Sequence, residues 1–404
     1  MNPESGGPCQ GIRDMVSALK ELSVVNNVVC CDSSKEEWIK KDSFLVHALG
    51  PGKFGYSYTA RLQSWLEENL HRFDAVIVHG LWQWHVQATM RALKNLKSSC
   101  NLPPSTRHPP LFIMPHGMLD PWFQRDKSRR LKAIRNLIYW RFFERHAVNA
   151  ADALLFTCAE ELRLAGTTFG GYRPKREINI GYGIAEPPAF DCRMRDAFES
   201  KCPELGNNSY ILFLARIHPK KGVDLLIRAY AEVVKNKPLT TPLSQLVIAG
   251  PGWDSSYGKQ MRQLIDNANA EILSKNCKLK TENLPRIHTV GMLDGDSKWG
   301  AFYGCESFVL PSHQENFGIA VVEALACGKP VLISNKVNTW REIVAGNAGI
   351  VEEDTLEGTK QLLRSHLFDR NTQFLNNSYD SFEKHFKVDL VARKLLAAIK
   401  EARS

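Results

Sequence analysis

The sequence predicts an α/β chain built from two doubly wound, Rossmann-like domains in series. Three observations predict it: short, near-continuous apolar runs, helical patterns between them, and one proline-bearing irregular segment that interrupts the alternation near the middle. At 404 residues the chain is long enough for two or three domains. Hydrophobic residues make up 44% and charged residues 24%, a balance that excludes a disordered or collagen-like chain. No apolar run approaches the roughly 18 residues of a membrane span. Met1-Asn2-Pro3-Glu4 lacks the basic patch and apolar stretch of a signal peptide.

The first domain, residues 1–184, opens unusually. Gly6-Gly7-Pro8 is followed by a helical pattern from about Gly11 to Leu22. Such a glycine turn normally follows a first strand, and only five residues precede it, so the natural chain is expected to start upstream. A helical pattern spans Ser57 to Leu70. Asp74-Ala75-Val76-Ile77-Val78-His79-Gly80 then reads as a buried strand, as do Leu111 to Met114 and Ala153 to Thr157. Another helical pattern spans Leu131 to Asn149. Apolar runs of this kind suit parallel strands covered on both faces. Ala185 to Asn208, with Pro187, Pro188 and Pro203, reads as the linker. The second domain, residues 207–384, carries six strand patterns: Tyr210 to Leu214, Gln245 to Ala249, Ile287 to Val290, Ser307 to Leu310, Val331 to Ser334 and Gly349 to Val351.

The net charge of +9 favours anionic partners such as phosphates, nucleotides, lipid headgroups or nucleic acid, though solubility alone explains much of it. The ten cysteines are scattered without a C-x-x-C pair, which predicts a reduced, cytoplasmic protein with no zinc site.

Two constellations carry chemistry. In Leu310-Pro311-Ser312-His313-Gln314-Glu315-Asn316-Phe317-Gly318-Ile319, a strand gives way to a polar loop and a helix starting near Gly318, which Gly328 stops. Free N–H groups at a helix start attract phosphate. Glu315 before the helix and Glu323 within it repel phosphate but accept hydrogen bonds from sugar hydroxyls, so together they describe a nucleotide-sugar site. The alternative is a surface Glu315 and a salt-bridged Glu323. In Leu214-Ala215-Arg216-Ile217-His218-Pro219-Lys220-Lys221-Gly222, Arg216 and Lys221 follow the domain's first strand, where open α/β sheets bind ligands. A rigid guanidinium fork and a point charge suit a diphosphate; a solvated basic loop is the alternative.

Glu-x7-Glu after Pro-Ser, with Arg-x4-Lys-Gly after the domain's first strand, resembles the retaining glycosyltransferases of family four, which have the GT-B fold. The resemblance covers most of the chain. It extends to Ile248-Ala249-Gly250-Pro251-Gly252, Val290-Gly291-Met292 and Trp340-Arg341-Glu342 in the second domain. In the first it takes in Gly6-Gly7-Pro8, His79-Gly80-Leu81-Trp82, Pro115-His116-Gly117-Met118-Leu119-Asp120 and Ala151-Asp152-Ala153. The resemblance implies two Rossmann-like domains facing a cleft, with a last helix (about Val388 to Ala402, within 385–404) crossing back onto the first. It implies that Arg216 and Lys221 bind the donor diphosphate. Glu315 holds the donor sugar, with the backbone of Asn316, Phe317, Gly318 and Ile319 nearby. Glu323 accepts the ribose hydroxyls, Gly250 and the backbone at Met292 belong to the donor site, and Gly7 lets a loop approach the phosphates. His116 reaches the donor sugar, and Trp82 and Asp120 line the acceptor side.

The expected activity is transfer of a hexose, UDP-glucose being the best donor, to a growing polysaccharide or a lipid-linked saccharide. Configuration is retained and neither metal nor cofactor is used. A nucleotide-sugar epimerase on the same fold and a non-catalytic nucleotide-sugar-binding protein are the competing readings. One departure from relatives stands near the end of the first domain: Asn179-Ile180-Gly181-Tyr182-Gly183 replaces a common Asn-Gly turn, leaving the linker geometry open. Asp294-Gly295-Asp296 imitates a metal-binding Asp-x-Asp but sits in a polar loop. Gly250 to Ser255 half-matches a dinucleotide fingerprint, lacking its third glycine. No nucleic-acid-binding module is visible. Finally, Arg125, Lys127, Arg129, Arg130, Lys132, Arg135, Arg141 and Arg145 crowd one region, interleaved with Leu131, Ile134, Leu137 and Ile138. Peripheral contact with an anionic membrane is one reading; a core-facing helix with a solvated basic face is the favoured one.

Overall fold

The computed structural model describes residues 1–2, 7–98, 108–126, 129–235, 243–275, 284–369 and 373–404. Gly6 and Lys127 lie outside them. The chain divides into two compact units, Met1–Ala185 with Lys387–Ser404, and Glu186–Phe386.

The first unit runs α1 (Gly7–Glu21), β1 (Val28–Cys30), α2 (Glu37–Lys41), β2 (Val46–Ala48), α3 (Ala60–Asn69), β3 (Val76–His79), α4 (Trp84–Ser98), β4 (Leu111–Met114), α5 (Trp122–Arg125), α6 (Arg130–Tyr139), α7 (Arg145–Ala150), β5 (Ala153–Phe156), α8 (Ala159–Ala165) and β6 (Glu177–Asn179). The second runs α9 (Cys192–Glu199), β7 (Tyr210–Leu214), α10 (Val223–Lys235), β8 (Gln245–Ala249), α11 (Ser256–Lys275), β9 (Ile287–Gly291), α12 (Gly295–Gly304), β10 (Ser307–Leu310), α13 (Ile319–Ala326), β11 (Val331–Ser334), α14 (Trp340–Ala345), β12 (Gly349–Glu352), α15 (Leu356–Arg364) and α16 (Gln373–His385). Helix α17 (Val388–Arg403) returns to the first unit and packs on α1.

In the second unit all six strands are parallel, in the order β9-β8-β7-β10-β11-β12. Chain order therefore reverses between β7 and β10, the switch point at which doubly wound sheets open a crevice beyond the strand ends. The runs Gln245–Ala249 and Val331–Ser334 are buried at every residue, as a sheet covered on both faces requires. Helix α10 supplies one cover, burying Leu226, Ile227, Tyr230, Val233 and Val234; the Tyr230 hydroxyl donates to the Ser244 carbonyl at 3.0 Å.

The first unit holds a parallel sheet β3-β4-β5-β6 and a separate parallel pair β1-β2. Among the described residues no strand precedes α1, and α1 starts at Gly7 rather than near Gly11.

Three expectations need correction. The segment 185–208 is not a bare linker. Asp191 caps α9 by accepting from the Arg193 N–H at 2.8 Å, Met194 and Phe198 are buried, and α9 packs on α12 inside the second unit. The helix from Leu131 to Asn149 is interrupted by a π turn at Trp140–Glu144. And α6 is not core-facing: only Asn136 is buried along it, while Leu131, Ile134, Leu137 and Ile138 are exposed. The Asn179 departure still forms a turn, its side-chain oxygen accepting from the Gly181 N–H at 3.1 Å.

Candidate functional site

The second unit's predicted residues gather at the carboxyl ends of neighbouring strands. The loop after β7 carries Arg216 and Lys221, and the loop after β10 carries Glu315. The two are sewn together. The His313 N–H donates to the Lys220 carbonyl at 2.9 Å. Gly222 has φ +66°, and a Cβ there would lie 2.1 Å from the Pro311 carbonyl oxygen, so only glycine lets the loops meet. Behind them Gly250 has φ +139° and its Cα faces the Ala215 carbonyl; its N–H donates to Gly291 at 2.6 Å, bringing the Met292 loop alongside. Met292 is exposed just beyond β9.

The half-buried Lys221 ammonium donates to Glu315 Oε2. Burial, then the charges of Lys220 and the exposed Arg216, push this lysine down to about 7. Glu315 pulls the other way, favouring the charged form. Its backbone is fixed from the far side, its N–H donating to Lys336 and its carbonyl accepting from Asn338, both at 2.9 Å. Phe317 is anchored through its carbonyl by Thr339 Oγ1 at 3.0 Å, Asn316 lies between, and Gly318 is the N-cap of α13, which begins at Ile319. Glu323 is salt-bridged, Lys298 Nζ lying 2.6 Å from its Oε1. The two glutamates thus rest on different cations. Lys298 was not legible in the sequence, because α12 shows no feature that marks one of its residues for contact with α13. Asp294 serves as the N-cap residue of α12: Ser297 Oγ donates to its carbonyl at 2.8 Å.

Of the first unit's predicted residues, Trp82 follows β3, His116 and Asp120 follow β4, and Gly7 opens α1. Trp82 and His116 have φ of +70° and +52°, a left-handed region that bulky side chains rarely adopt. Both are held there. The Trp82 N–H donates to Glu144 Oε1 at 2.9 Å, and the Gly117 N–H next to His116 donates to the buried Glu161 at 2.5 Å. Burial raises the Glu144 carboxyl to about 8, against the pull of the Trp82 N–H. Strain of this kind concentrates at functional sites. His116 shares a hydrogen bond with His79, Nε2 to Nδ1 at 2.9 Å, and meets the Tyr182 ring edge-on; the Tyr182 hydroxyl donates to the Gly7 carbonyl at 2.6 Å. Gly7, His116, His79 and Tyr182 therefore form one cluster. Asp120 is buried and closes a local turn, accepting from the Trp122 N–H at 2.8 Å. Glu144, Glu161 and His79 escaped a functional reading. For Glu161 a signal existed: it stands three residues after the α8 N-cap Cys158, where capping glutamates occur.

Burial pushes His79 down to about 4 and His116 well below its usual 6.5; the nearby His85 adds to the first shift and His79 to the second. Below pH 6.5 the unfolded chain takes up protons that the folded pair refuses, so the stability present above pH 6.5 is lost as the pH falls. We expect the first unit to lose up to about 1.4 kcal/mol per pH unit per histidine between pH 6.5 and 4. Denaturation midpoints of wild type and His79→Asn over that range test it; equal slopes count against the shared pair.

Two family models match the chain: the "Glycosyl transferase 4-like domain" over residues 6–183 and "Glycosyl transferases group 1" over residues 195–373. A D-inositol 3-phosphate glycosyltransferase of Kineococcus radiotolerans is 25% identical over 225 residues, 55% of this chain and 48% of that protein. The chain thus aligns with about half the length of such curated relatives. Among solved structures, a glycosyltransferase of Rickettsia africae superposes with a TM-score of 0.71 at 15% identity, covering 99% of this chain and 96% of that one. Anabaena Alr3699/HepE, crystallised with UDP and glucose, gives 0.66 at 17% identity, covering 99% and 97%. On these matches and this topology, the chain belongs to the family-four glycosyltransferases of the GT-B fold.

Proposed function

We propose that this chain transfers a hexose from a nucleotide sugar to a polysaccharide or lipid-linked saccharide, with UDP-glucose as donor, retention of configuration and no metal ion. The observation that carries the reading is the switch point between β7 and β10, where the Arg216–Lys221 loop and the Glu315 loop are joined and Lys221 bonds Glu315. The complexes of HepE with UDP and glucose and with UDP-glucose support the donor by analogy of fold.

The chemistry asks for little more. The bond between the sugar's anomeric carbon and the diphosphate oxygen breaks, and its electron pair leaves on the diphosphate. Fixed cations aimed at that developing charge lower the barrier without rearranging in the reaction. Arg216 and Lys221 are those cations, doing the work a metal does elsewhere. Glu315 accepts hydrogen bonds from the sugar hydroxyls, and Glu323 from the ribose. The acceptor hydroxyl attacks from the face the diphosphate leaves, and its proton passes to the departing phosphate.

The test is a panel of UDP-glucose, UDP-galactose, UDP-N-acetylglucosamine and GDP-mannose, read by thermal shift and by nucleotide release, with and without EDTA. Stabilisation and slow UDP release from UDP-glucose, indifferent to EDTA, is the expected result. Isomerised sugar without release would make the chain an epimerase, and binding without release a non-catalytic receptor. Loss of turnover in EDTA would refute the metal-free mechanism.

A further inference from the structure

The segment from Arg129 to Phe143 contains no acidic residue. In the structure it forms α6 and most of the π turn that follows. Leu131, Ile134, Ile138 and Phe142 recur at intervals of three, four and four, so they share one stripe of the helix. The stripe that faces the unit's interior is a different one, made by Asn136, Trp140 and Glu144, all buried. The apolar stripe therefore points outward: Leu131 is 85% exposed and Phe142 63%. Exposed cations flank it. By helical geometry Arg130 and Arg141 fall on one side, Lys132 and Arg135 on the other.

A neighbouring loop extends the surface. Lys53 and Tyr58 pair as an isolated bridge, and the loop they close packs on α6 through Tyr56, whose hydroxyl bonds that of Tyr139 with rings 5.7 Å apart. Phe54 in this loop is 87% exposed.

We propose that this ridge docks the first unit on an anionic lipid surface, with Leu131, Ile134, Ile138 and Phe142 entering the headgroup boundary and Arg130, Lys132, Arg135 and Arg141 meeting lipid phosphates. An exposed apolar stripe alone names no occupant. Two rows of cations beside it, with no acid interspersed, select a surface that is apolar below and negative at its rim. A second copy of this basic chain would bring like charges together. The inference goes beyond the transfer reaction and does not depend on it.

The test is sedimentation of the full chain with phosphatidylcholine vesicles, with and without phosphatidylglycerol. Binding is expected only to the anionic vesicles, weakening with added salt. Ile134→Ser with Ile138→Ser is expected to weaken it by more than about tenfold at unchanged circular dichroism and melting temperature. Arg135→Gln with Arg141→Gln is expected to weaken it too. No binding to anionic vesicles, equal binding to both kinds, or full binding by the Ile134/Ile138 variant overturns the proposal. So does a concentration-dependent dimer that this variant abolishes, which would assign the ridge to a second copy. Vesicle binding needs no turnover, so its failure and the failure of the transfer reading are separately visible.

Discussion

Lys221→Ala is expected to lower kcat by about 100- to 1,000-fold, the usual loss when one fixed group that stabilises developing negative charge is removed. Two features of the site make the effect large. The ammonium lies at the junction of the β7 and β10 loops, and it is bonded to Glu315, the carboxylate assigned to the donor sugar. Under the proposed function, truncation removes a cation from the diphosphate, and it leaves the half-buried Glu315 without its Lys221 partner. Lys221→Arg separates charge from geometry. With the lysine pushed to about 7, it is protonated below that pH before a diphosphate arrives. Above it, binding must draw a proton from solution, so UDP affinity falls with rising pH, by at most about tenfold per unit. Arginine stays charged throughout and is expected to flatten the profile even where it lowers the rate. Titration of UDP binding from pH 6 to 9 decides the matter; a steep profile retained in Lys221→Arg would move the titrating group elsewhere.

Gly250→Ala is expected to cost the second unit about 3 kcal/mol or more and to abolish donor binding. At φ +139° an L side chain is strained on any backbone, and here its Cβ would stand 1.8 Å from the Ala215 carbonyl oxygen. The obstacle is backbone, not a side chain that can turn aside. Relief requires the β7 and β8 loops to part, and the β7 loop carries Arg216. Thermal melting with and without UDP measures both effects. A variant that melts like wild type and still responds to UDP would show that these strand ends yield more readily than their close packing implies.

The second unit was legible in the sequence because its inner strands are buried on both faces and read as near-continuous apolar runs, such as Leu246-Val247-Ile248. In the first unit β1, β2 and β6 escaped notice. Each has three residues, and none of those residues is fully buried, so no hydrophobic pattern marks them. Helix α9 was hidden by surrounding prolines and charges; its buried pair Met194 and Phe198 is too short a signal to outweigh them. In the candidate site, Lys221 and Glu315 stood out because each belongs to a local motif. Lys298 against Glu323 depends on two helices meeting in space, and Glu144 beneath Trp82 on a π turn meeting the loop after β3, which local spacing does not record.

The return of α17 bears on the order in which the protein is made. Its start abuts Gly183, where a Cβ would lie 2.3 Å from the Val388 Cα. Its end pairs Arg403 with Asp74 at 2.6 Å and Glu401 with Arg176 at 2.5 Å. Residues 186–386 are thus an insertion within the first unit. On the ribosome the inserted unit has all its residues first, while the unit begun earliest waits for the last helix to be synthesised before α1 gains its partner.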